Sequence, residues 1–138
     1  MNLQRFLDAQ EGVIDTAMDE LRAGGKRSHW MWFVFPQLRG LGRSSTAQYY
    51  GIEDLEEAAA YLAHPVLGAR LIECNQLMLG HAGTPPEAIL GGVDAMKLRS
   101  SATLFDTLPG ADPVFADVLA DIYGKQRCER TLHLLGAD

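Results

Sequence analysis

The sequence predicts an all-α fold, a compact multi-helical bundle in a single domain that covers residues 1–138. Apolar residues recur at intervals of three and four along most of the chain, which is the spacing of one helix face. Glycine and proline stand where these segments stop, and no two alternating segments are joined by the Asn-Gly or Asp-Gly turn of a hairpin. With 47% hydrophobic residues and a net charge of −6, the chain is too apolar for disorder and long enough to bury a core.

Three helices are predicted in the first part of the chain. The first runs from Leu3 to Leu21 and ends at the glycine pair 24–25, a C-terminal signal. The second spans residues 55–62, and a third begins at Pro65, because proline fits the first turn of a helix. His64 is expected to be a cap or turn residue before it. The apolar face of the third helix comprises Leu67, Leu71, Cys74 and Met78. A solvated face is expected near the second helix, with the carboxylates Glu53, Asp54, Glu56 and Glu57.

Further helix signals follow in the second part of the chain. The sequence Thr-Pro-Pro-Glu at residues 84–87 has the pattern of a capping box with proline in the first turn. Asp94 is a candidate cap for a helix that continues to about Leu108. The pair Asp-Pro at 112–113 opens another helix, which Gly124 closes, and a short final helix is expected around residues 131–135.

The charge is unevenly distributed along the chain. Residues 1–20 carry a net charge of −4, residues 21–52 carry +5 without a single acid, and residues 53–138 carry −7. The overall acidity argues against a broad nucleic-acid surface, which needs widespread positive charge. The middle window predicts instead a small, local anion site, with bases at Arg22, Lys26, Arg27, Arg39 and Arg43. The polar loop at residues 40–46 is expected to contribute amides and hydroxyls to such a site.

Nothing in the sequence predicts a membrane partner. No apolar run approaches the roughly 20 residues that span a bilayer, and the first segment is acidic rather than a basic, cleavable signal. Cys74 and Cys128 are therefore expected to be reduced and at least partly buried in a cytoplasmic protein. Their spacing relative to histidines predicts no metal site, and no cofactor or oligomeric state is predicted either.

The segment at residues 26–37, Lys-Arg-Ser-His-Trp-Met-Trp-Phe-Val-Phe-Pro-Gln, holds both tryptophans and lies inside the basic window. Ser28 is a candidate cap for a short helix ending before Pro36, although an extended segment fits the periodicity nearly as well. Two interpretations stay open. The rings fill the core, or Trp30 or Trp32 lines a cleft and stacks on a base while nearby Lys and Arg side chains bind phosphates.

Residues 94–105 form the second candidate region. On a helix, Lys97 and Ser101 lie along one side and Arg99 lies along another. Consecutive serines are mildly unfavourable inside a helix, because their hydroxyls compete for backbone hydrogen bonds. Either these small residues allow close helix packing, or this helix faces the same cleft as the aromatic segment.

Asp8 and His29 are the candidate acid–base residues. His29 can change its charge near neutral pH, and Asp8 lies on the first helix, which is expected beside the aromatic segment. A purely structural role for His29 also stays open. The candidate ligand-binding residues are Lys26, Trp30, Trp32, Gln37, Lys97, Arg99 and Ser101.

Several blocks of the sequence resemble one bacterial family, the domain of unknown function 1810. The blocks that carry the resemblance are Arg-Phe-Leu-Asp-Ala-Gln at 5–10, the segment 26–37, His-Pro-Val-Leu-Gly at 64–68, residues 97–105 and residues 131–135. They span essentially the whole chain. The resemblance implies a small, mainly helical cytosolic protein and brings no established activity.

The sequence has an early Phe-x-x-Ala-Gln helix, a later lysine-bearing helix with a Phe near its end, and a closing Leu-Leu helix. This order resembles that of the NADAR domains, which are linked to NAD and ADP-ribose chemistry and include N-glycosidases. That similarity implies a helical scaffold with a nucleotide-like pocket. Gln4 stands where the NADAR domains carry a catalytic glutamate, so N-glycosidase chemistry is not implied for this chain. The function expected is the binding or processing of a phosphorylated nucleoside related to NAD or ADP-ribose. The alternative is a non-catalytic helical module that binds a protein or small ligand through the basic aromatic segment.

Overall fold

The computed structural model describes residues 2–136 and confirms the all-α class. Apart from one isolated bridge between Leu38 and Ile52, all regular structure in that range is helical. The helices are α1 (Gln4–Gln10), α2 (Ile14–Ala23), α3 (Met31–Val34), α4 (Ser45–Tyr50), α5 (Leu55–Ala63), α6 (Leu67–Leu79), α7 (Pro86–Leu90), α8 (Gly92–Asp106), α9 (Val114–Tyr123) and α10 (Glu129–Leu134).

The single helix predicted over residues 3–21 is two helices. Gly12 has a φ of 73°, a left-handed conformation that only glycine adopts readily, and it separates α1 from α2. Apolar residues continue at helical spacing across this break, which is why the sequence pattern did not show it. Gly24, also left-handed at φ 76°, ends α2 as predicted.

Three predicted caps are wrong, and one is confirmed. Helix α7 begins at Pro86 without a side-chain cap from Thr84, and α8 begins at Gly92, which places Asp94 in its first turn. Ser28 lies ahead of α3 and donates its hydroxyl proton to Glu20. His64 does cap the chain before α6, since its Nδ1 accepts hydrogen bonds from the two amides that follow Pro65.

The core is built around α6 and α8. Helix α8 buries residues on nearly every side, because α5, α7, α9 and α10 all pack against it. An aromatic chain crosses the core from Phe6 through Tyr61 and Phe105 to Phe115, with ring centroids 5.0 to 5.7 Å apart. At Gly68 a Cβ atom would lie 2.0 Å from the carbonyl oxygen of Leu62, so glycine is required where α6 follows α5.

A buried ion pair fixes α1 against α5. Arg5 Nη2 lies 3.0 Å from Glu57 Oε1, and Arg5 also donates to the carbonyl oxygens of Tyr49 and Gly51. Glu57 is only 4% exposed, so its predicted place on a solvated face is wrong. The neighbouring Glu53, Asp54 and Glu56 are exposed as expected.

Two contacts hold the connection between α9 and α10 alongside α8. Tyr123 Oη donates to the carbonyl oxygen of Ala95 at 2.6 Å, and the amide of Cys128 donates to Thr103 Oγ1 at 3.0 Å. Residues 124–128 therefore run parallel to α8 and form one wall of a cleft. Within residues 2–136, no helix has the length and apolarity that crossing a membrane requires.

Candidate functional site

A cleft of about 1160 Å³ lies beside the first half of α8. Its walls come from α8 itself (residues 93–100), the loop 41–44, and the α9–α10 connection with the start of α10 (residues 125–132). Trp32 and Gln37 from the aromatic segment complete the lining. The cleft is slightly larger than the common range for small-molecule sites, so it has room for an elongated ligand.

Positive charge is concentrated in this cleft, which we call the basic cleft. Six of the twelve lysines and arginines line it, and among residues 2–136 a single acid, Glu129, lines it with them. The six bases are Arg43, Lys97, Arg99, Lys125, Arg127 and Arg130. An acidic protein of net charge −6 thus has a local surface suited to anions.

Most of these bases are not neutralised by the protein. Arg127 pairs with Asp106 at 2.5 Å, and Lys97 lies 3.4 Å from Asp94. Within the part of the chain that the structure describes, the other four bases form no ion pair. Their charge is available to a ligand.

Arg99 is the most informative of the four. Its Nε is buried, and no acceptor among residues 2–136 lies within hydrogen-bonding distance of it. Leaving a buried donor of a charged group unpaired costs free energy, and most such groups in folded proteins have a partner. Arg99 also lines the basic cleft, so a ligand there would lie beside a guanidinium group that the described residues do not fully pair.

Trp32 and Lys97, which also line the cleft, form one unit. Lys97 Nζ lies 3.4 Å from the centroid of the Trp32 ring, a close cation–π contact. Asp94 fixes this ammonium and also binds Lys26 Nζ at 3.0 Å. One face of the indole is therefore covered by an ammonium group and is closed to a stacking base.

Four of the seven predicted ligand-binding residues meet in the basic cleft. They are Trp32, Gln37, Lys97 and Arg99, from two segments sixty residues apart in the sequence. Lys26 lies behind this group, in contact with Asp94 rather than with the cleft. Ser101 is only 1% exposed and packs inside the bundle, so its predicted ligand contact is wrong, and its neighbour Ser100 lines the cleft instead.

Trp30 is a core residue, and its predicted stacking on a ligand is wrong because it is 0% exposed. Its indole Nε1 donates to Glu20, which also accepts hydrogen bonds from the amides of Arg27 and Ser28 and from the Ser28 hydroxyl. Desolvation raises the pKa of Glu20, but these four hydrogen bonds outweigh it and lower the pKa to about 2. Glu20 thus anchors the aromatic segment to α2.

The two acid–base candidates do not reach the basic cleft. Asp8 is exposed on α1 and accepts a hydrogen bond from Gln4, and His29 is exposed before α3. Neither lines the cleft. The geometry therefore joins them neither to each other nor to the bases that would bind a ligand.

One whole wall of the cleft was not predicted from the sequence. Lys125, Arg127 and Arg130 follow α9 within seven residues, and this local excess of bases was a usable signal. It was hidden because residues 53–138 were counted together and carry thirteen acids. The exposed Val93 and Met96 were also missed, since each is a single apolar residue without a motif.

Cys128 brings a thiol to the cleft wall. Cys128 lies just before α10, and its Sγ is 3.3 Å from the Oγ of Ser100 on α8. Burial raises the pKa of this thiol, but hydrogen bonds from Ser100 and from nearby amides outweigh it, and the net shift is downward. Cys74 is fully buried in α6, and desolvation raises the pKa of that thiol to about 12. Both cysteines are free and buried, as predicted.

The arrangement is suited to binding more clearly than to chemistry. The basic cleft offers several positive charges, a half-buried indole and an exposed apolar rim. Among the described residues, no group of three or more His, Cys, Asp or Glu side chains is placed to hold a metal ion.

Comparison with known proteins places the chain among relatives without a stated activity. The family model described as "Protein of unknown function (DUF1810)" matches residues 1–135. The chain is similar to the crystal structure of the conserved hypothetical protein Rv1873 from Mycobacterium tuberculosis, with 50% sequence identity and a TM-score of 0.95. That match covers 99% of this chain and 98% of the other. No curated protein matches.

Proposed function

The chain belongs to the domain of unknown function 1810 family, and we propose that its basic cleft binds a phosphorylated nucleoside related to NAD or ADP-ribose. The family description names no activity, so the support comes from the cleft itself. The observation that carries the proposal is Arg99, which lines the cleft and whose buried Nε has no acceptor among the described residues. A guanidinium matches the oxygens of phosphates and of carboxylates, and the charge of the cleft decides between them.

The charge balance supports a ligand with more than one negative charge. Arg43, Lys125 and Arg130 join Arg99 as cleft bases without an ion pair in residues 2–136, against the single carboxylate of Glu129. One carboxylate ligand would leave most of this charge unmatched. A diphosphate, as in ADP-ribose or NAD, supplies several acceptor oxygens within one short group.

The proposal is one of binding, in the cytoplasm, and assigns no reaction. Asp8 and His29 lie outside the cleft, so neither is proposed as an acid or base for a ligand bound there. Two free cysteines favour a reducing compartment. The alternative module, which uses the whole aromatic segment as a contact surface, is disfavoured because Trp30 is fully buried.

Substitution of Arg99 tests the proposal directly. Thermal-shift and calorimetric titrations with ADP-ribose, NAD, ADP and pyrophosphate should show binding by the wild-type protein, and Arg99→Gln should weaken it. A hydrogen bond to a charged group is worth about 1.5–3 kcal/mol, which corresponds to roughly a tenfold to hundredfold loss of affinity. The melting temperature without ligand should change little, because the Nε of Arg99 has no partner to lose.

Arg27→Gln is the matched control, since Arg27 is exposed, lies outside the cleft and loses the same charge. It should bind every ligand as the wild type does. If no member of the panel raises the melting temperature at millimolar concentration, the proposal is wrong. Equal losses for Arg99→Gln and Arg27→Gln would also count against it, because they would indicate a general effect of net charge.

A further inference from the structure

The most exposed large apolar side chains of the described residues stand together at the rim of the basic cleft. Val93 is 69% exposed and Met96 is 62% exposed, and both line the cleft. They are three residues apart on α8, so their side chains are neighbours on one helix surface. Single exposed apolar residues need no explanation, but a pair at the mouth of a charged cleft is typical of a site for an amphiphilic ligand.

Trp32, the expected stacking platform, is unavailable on the face that Lys97 covers. The ammonium lies 3.4 Å from the ring centroid and is held there by Asp94. A base stacking on that face would have to displace a cation from both the indole and the carboxylate. Trp32 is thus a positioning residue for Lys97, and the ring of a ligand needs another surface.

Resting on the proposed function, we propose that the heteroaromatic base of the ligand lies on Val93 and Met96 while its phosphates bind Arg99 and the α9–α10 connection. Val93 and Arg99 are six residues apart on α8, about 9 Å along the helix axis, so an elongated ligand reaches both. The methionine suits this role because its polarizable thioether adapts to an aromatic ring and interacts with it favourably.

The connection between α9 and α10 supplies the charged end of this arrangement. It runs beside α8 from Ala95, where Tyr123 Oη binds, to Thr103, where the Cys128 amide binds. Lys125 lies within it and has a φ of 69°, a left-handed conformation that is uncommon for a residue with a side chain. An unusual backbone conformation at a cleft residue is consistent with a functional constraint there.

The test compares ADP, which carries a heteroaromatic base, with pyrophosphate, which has none. Calorimetric titration with ADP and with pyrophosphate is carried out on the wild type, on Arg99→Gln and on the double variant Val93→Thr, Met96→Gln. The double variant keeps the size of both side chains and removes apolar surface, and both sites are too exposed for the fold to depend on them. It should bind ADP about threefold to tenfold more weakly and pyrophosphate as well as the wild type does. Arg99→Gln should weaken both ligands.

Val66→Thr provides the control, because Val66 is 39% exposed and lies outside the cleft. Unchanged ADP affinity in the double variant would overturn the inference, and so would an equal loss for ADP and pyrophosphate. Wild-type protein that binds pyrophosphate as tightly as ADP would overturn it while leaving an anion site intact. A wild type that binds neither ligand would overturn the proposed function and this inference together.

Discussion

The aromatic segment (residues 26–37) is conspicuous in the sequence, whereas the cleft wall formed by α8 with the α9–α10 connection is conspicuous only in the folded structure. In the aromatic segment the sequence concentrates bases and rings within twelve residues, yet most of its rings and apolar side chains are buried. On the cleft wall the bases are spread among acids, yet they meet at one concave surface. The segment that draws attention in the sequence contributes only Trp32 and Gln37 to the cleft.

The difference shows that the net charge of a sequence window does not give the charge of the surface that its residues form in the folded protein. Two of the five bases in the acid-free window pair with acids from outside it, Arg22 with Asp19 and Lys26 with Asp94. Glu20 also lies against the turn at residues 27–30, where the amides of Arg27 and Ser28 donate to it. The α9–α10 connection behaves in the opposite way. Asp117 and Asp121 precede it in the sequence but are exposed on α9 and do not line the cleft, and Lys125 and Arg130 form no ion pair within residues 2–136.

The largest effect expected from this comparison separates the two tryptophans. Trp30→Ala removes a side chain that is 0% exposed and should lower the free energy of unfolding by about 3–5 kcal/mol. Trp32→Ala removes a half-buried ring and its cation–π contact and should cost about 1–2 kcal/mol. Urea denaturation of the two variants measures both values. Equal costs would mean that the aromatic segment is not divided between core and cleft.

Loss of the Glu20 carboxylate should have the next largest effect. Glu20→Gln keeps the size of the side chain but replaces an acceptor of four hydrogen bonds with a group that is half donor, so we expect a loss of about 1–2 kcal/mol near neutral pH. Glu11→Gln is the control, because Glu11 is exposed and no hydrogen bond to its side chain is seen among the described residues. It should leave stability within about 0.5 kcal/mol of the wild type.

The same substitution carries a dependence on pH. The pKa of Glu20 is lowered in the folded state to about 2, so its contribution is present above the ordinary value of 4.5 and disappears as the pH falls toward 2. The stability gap between wild type and Glu20→Gln should therefore be constant from neutral pH down to about 4.5 and narrow below it. A gap that stays constant down to pH 2 would show that the carboxylate charge is not what anchors the aromatic segment.

Some of the helices and site residues could be predicted from the sequence, and others could not. Helical periodicity predicted α5, α6, α8 and α9 well, because each has a long apolar face and a glycine or proline at an end. It did not predict α4, whose six residues have Ser44 as a cap but no apolar stripe. Arg99 and Lys97 were found because they lie in a distinctive block. Lys125 and Met96 were not found, since their role depends on the connection after α9 running back along α8, a tertiary contact that leaves no trace in periodicity.

The smallest effect concerns the alkylation rates of the two thiols. One thiol lies in the cleft wall and the other in the core, so they test the same comparison without a substitution. Cys128 lies in the cleft wall with a lowered pKa, whereas Cys74 is 0% exposed with a pKa raised to about 12. Iodoacetamide reacts with the thiolate, so Cys128 should be alkylated first and Cys74 should stay unmodified in the folded protein between about pH 6 and pH 9. Peptide mapping by mass spectrometry measures the two rates separately, and Cys128→Ser confirms the assignment.

Ligand protection turns this small effect into a test of the cleft. Because Cys128 lines the basic cleft, saturating pyrophosphate should slow its alkylation several-fold, and it should leave the rate of Cys74 in urea-unfolded protein unchanged. In Arg99→Gln the protection should require a higher pyrophosphate concentration, since the anion is held less tightly. Faster labelling of Cys74 than of Cys128 would contradict the assignment of core and cleft. Identical protection in wild type and Arg99→Gln would mean that the anion does not bind at the guanidinium. The charged end of the proposed site would then lie elsewhere.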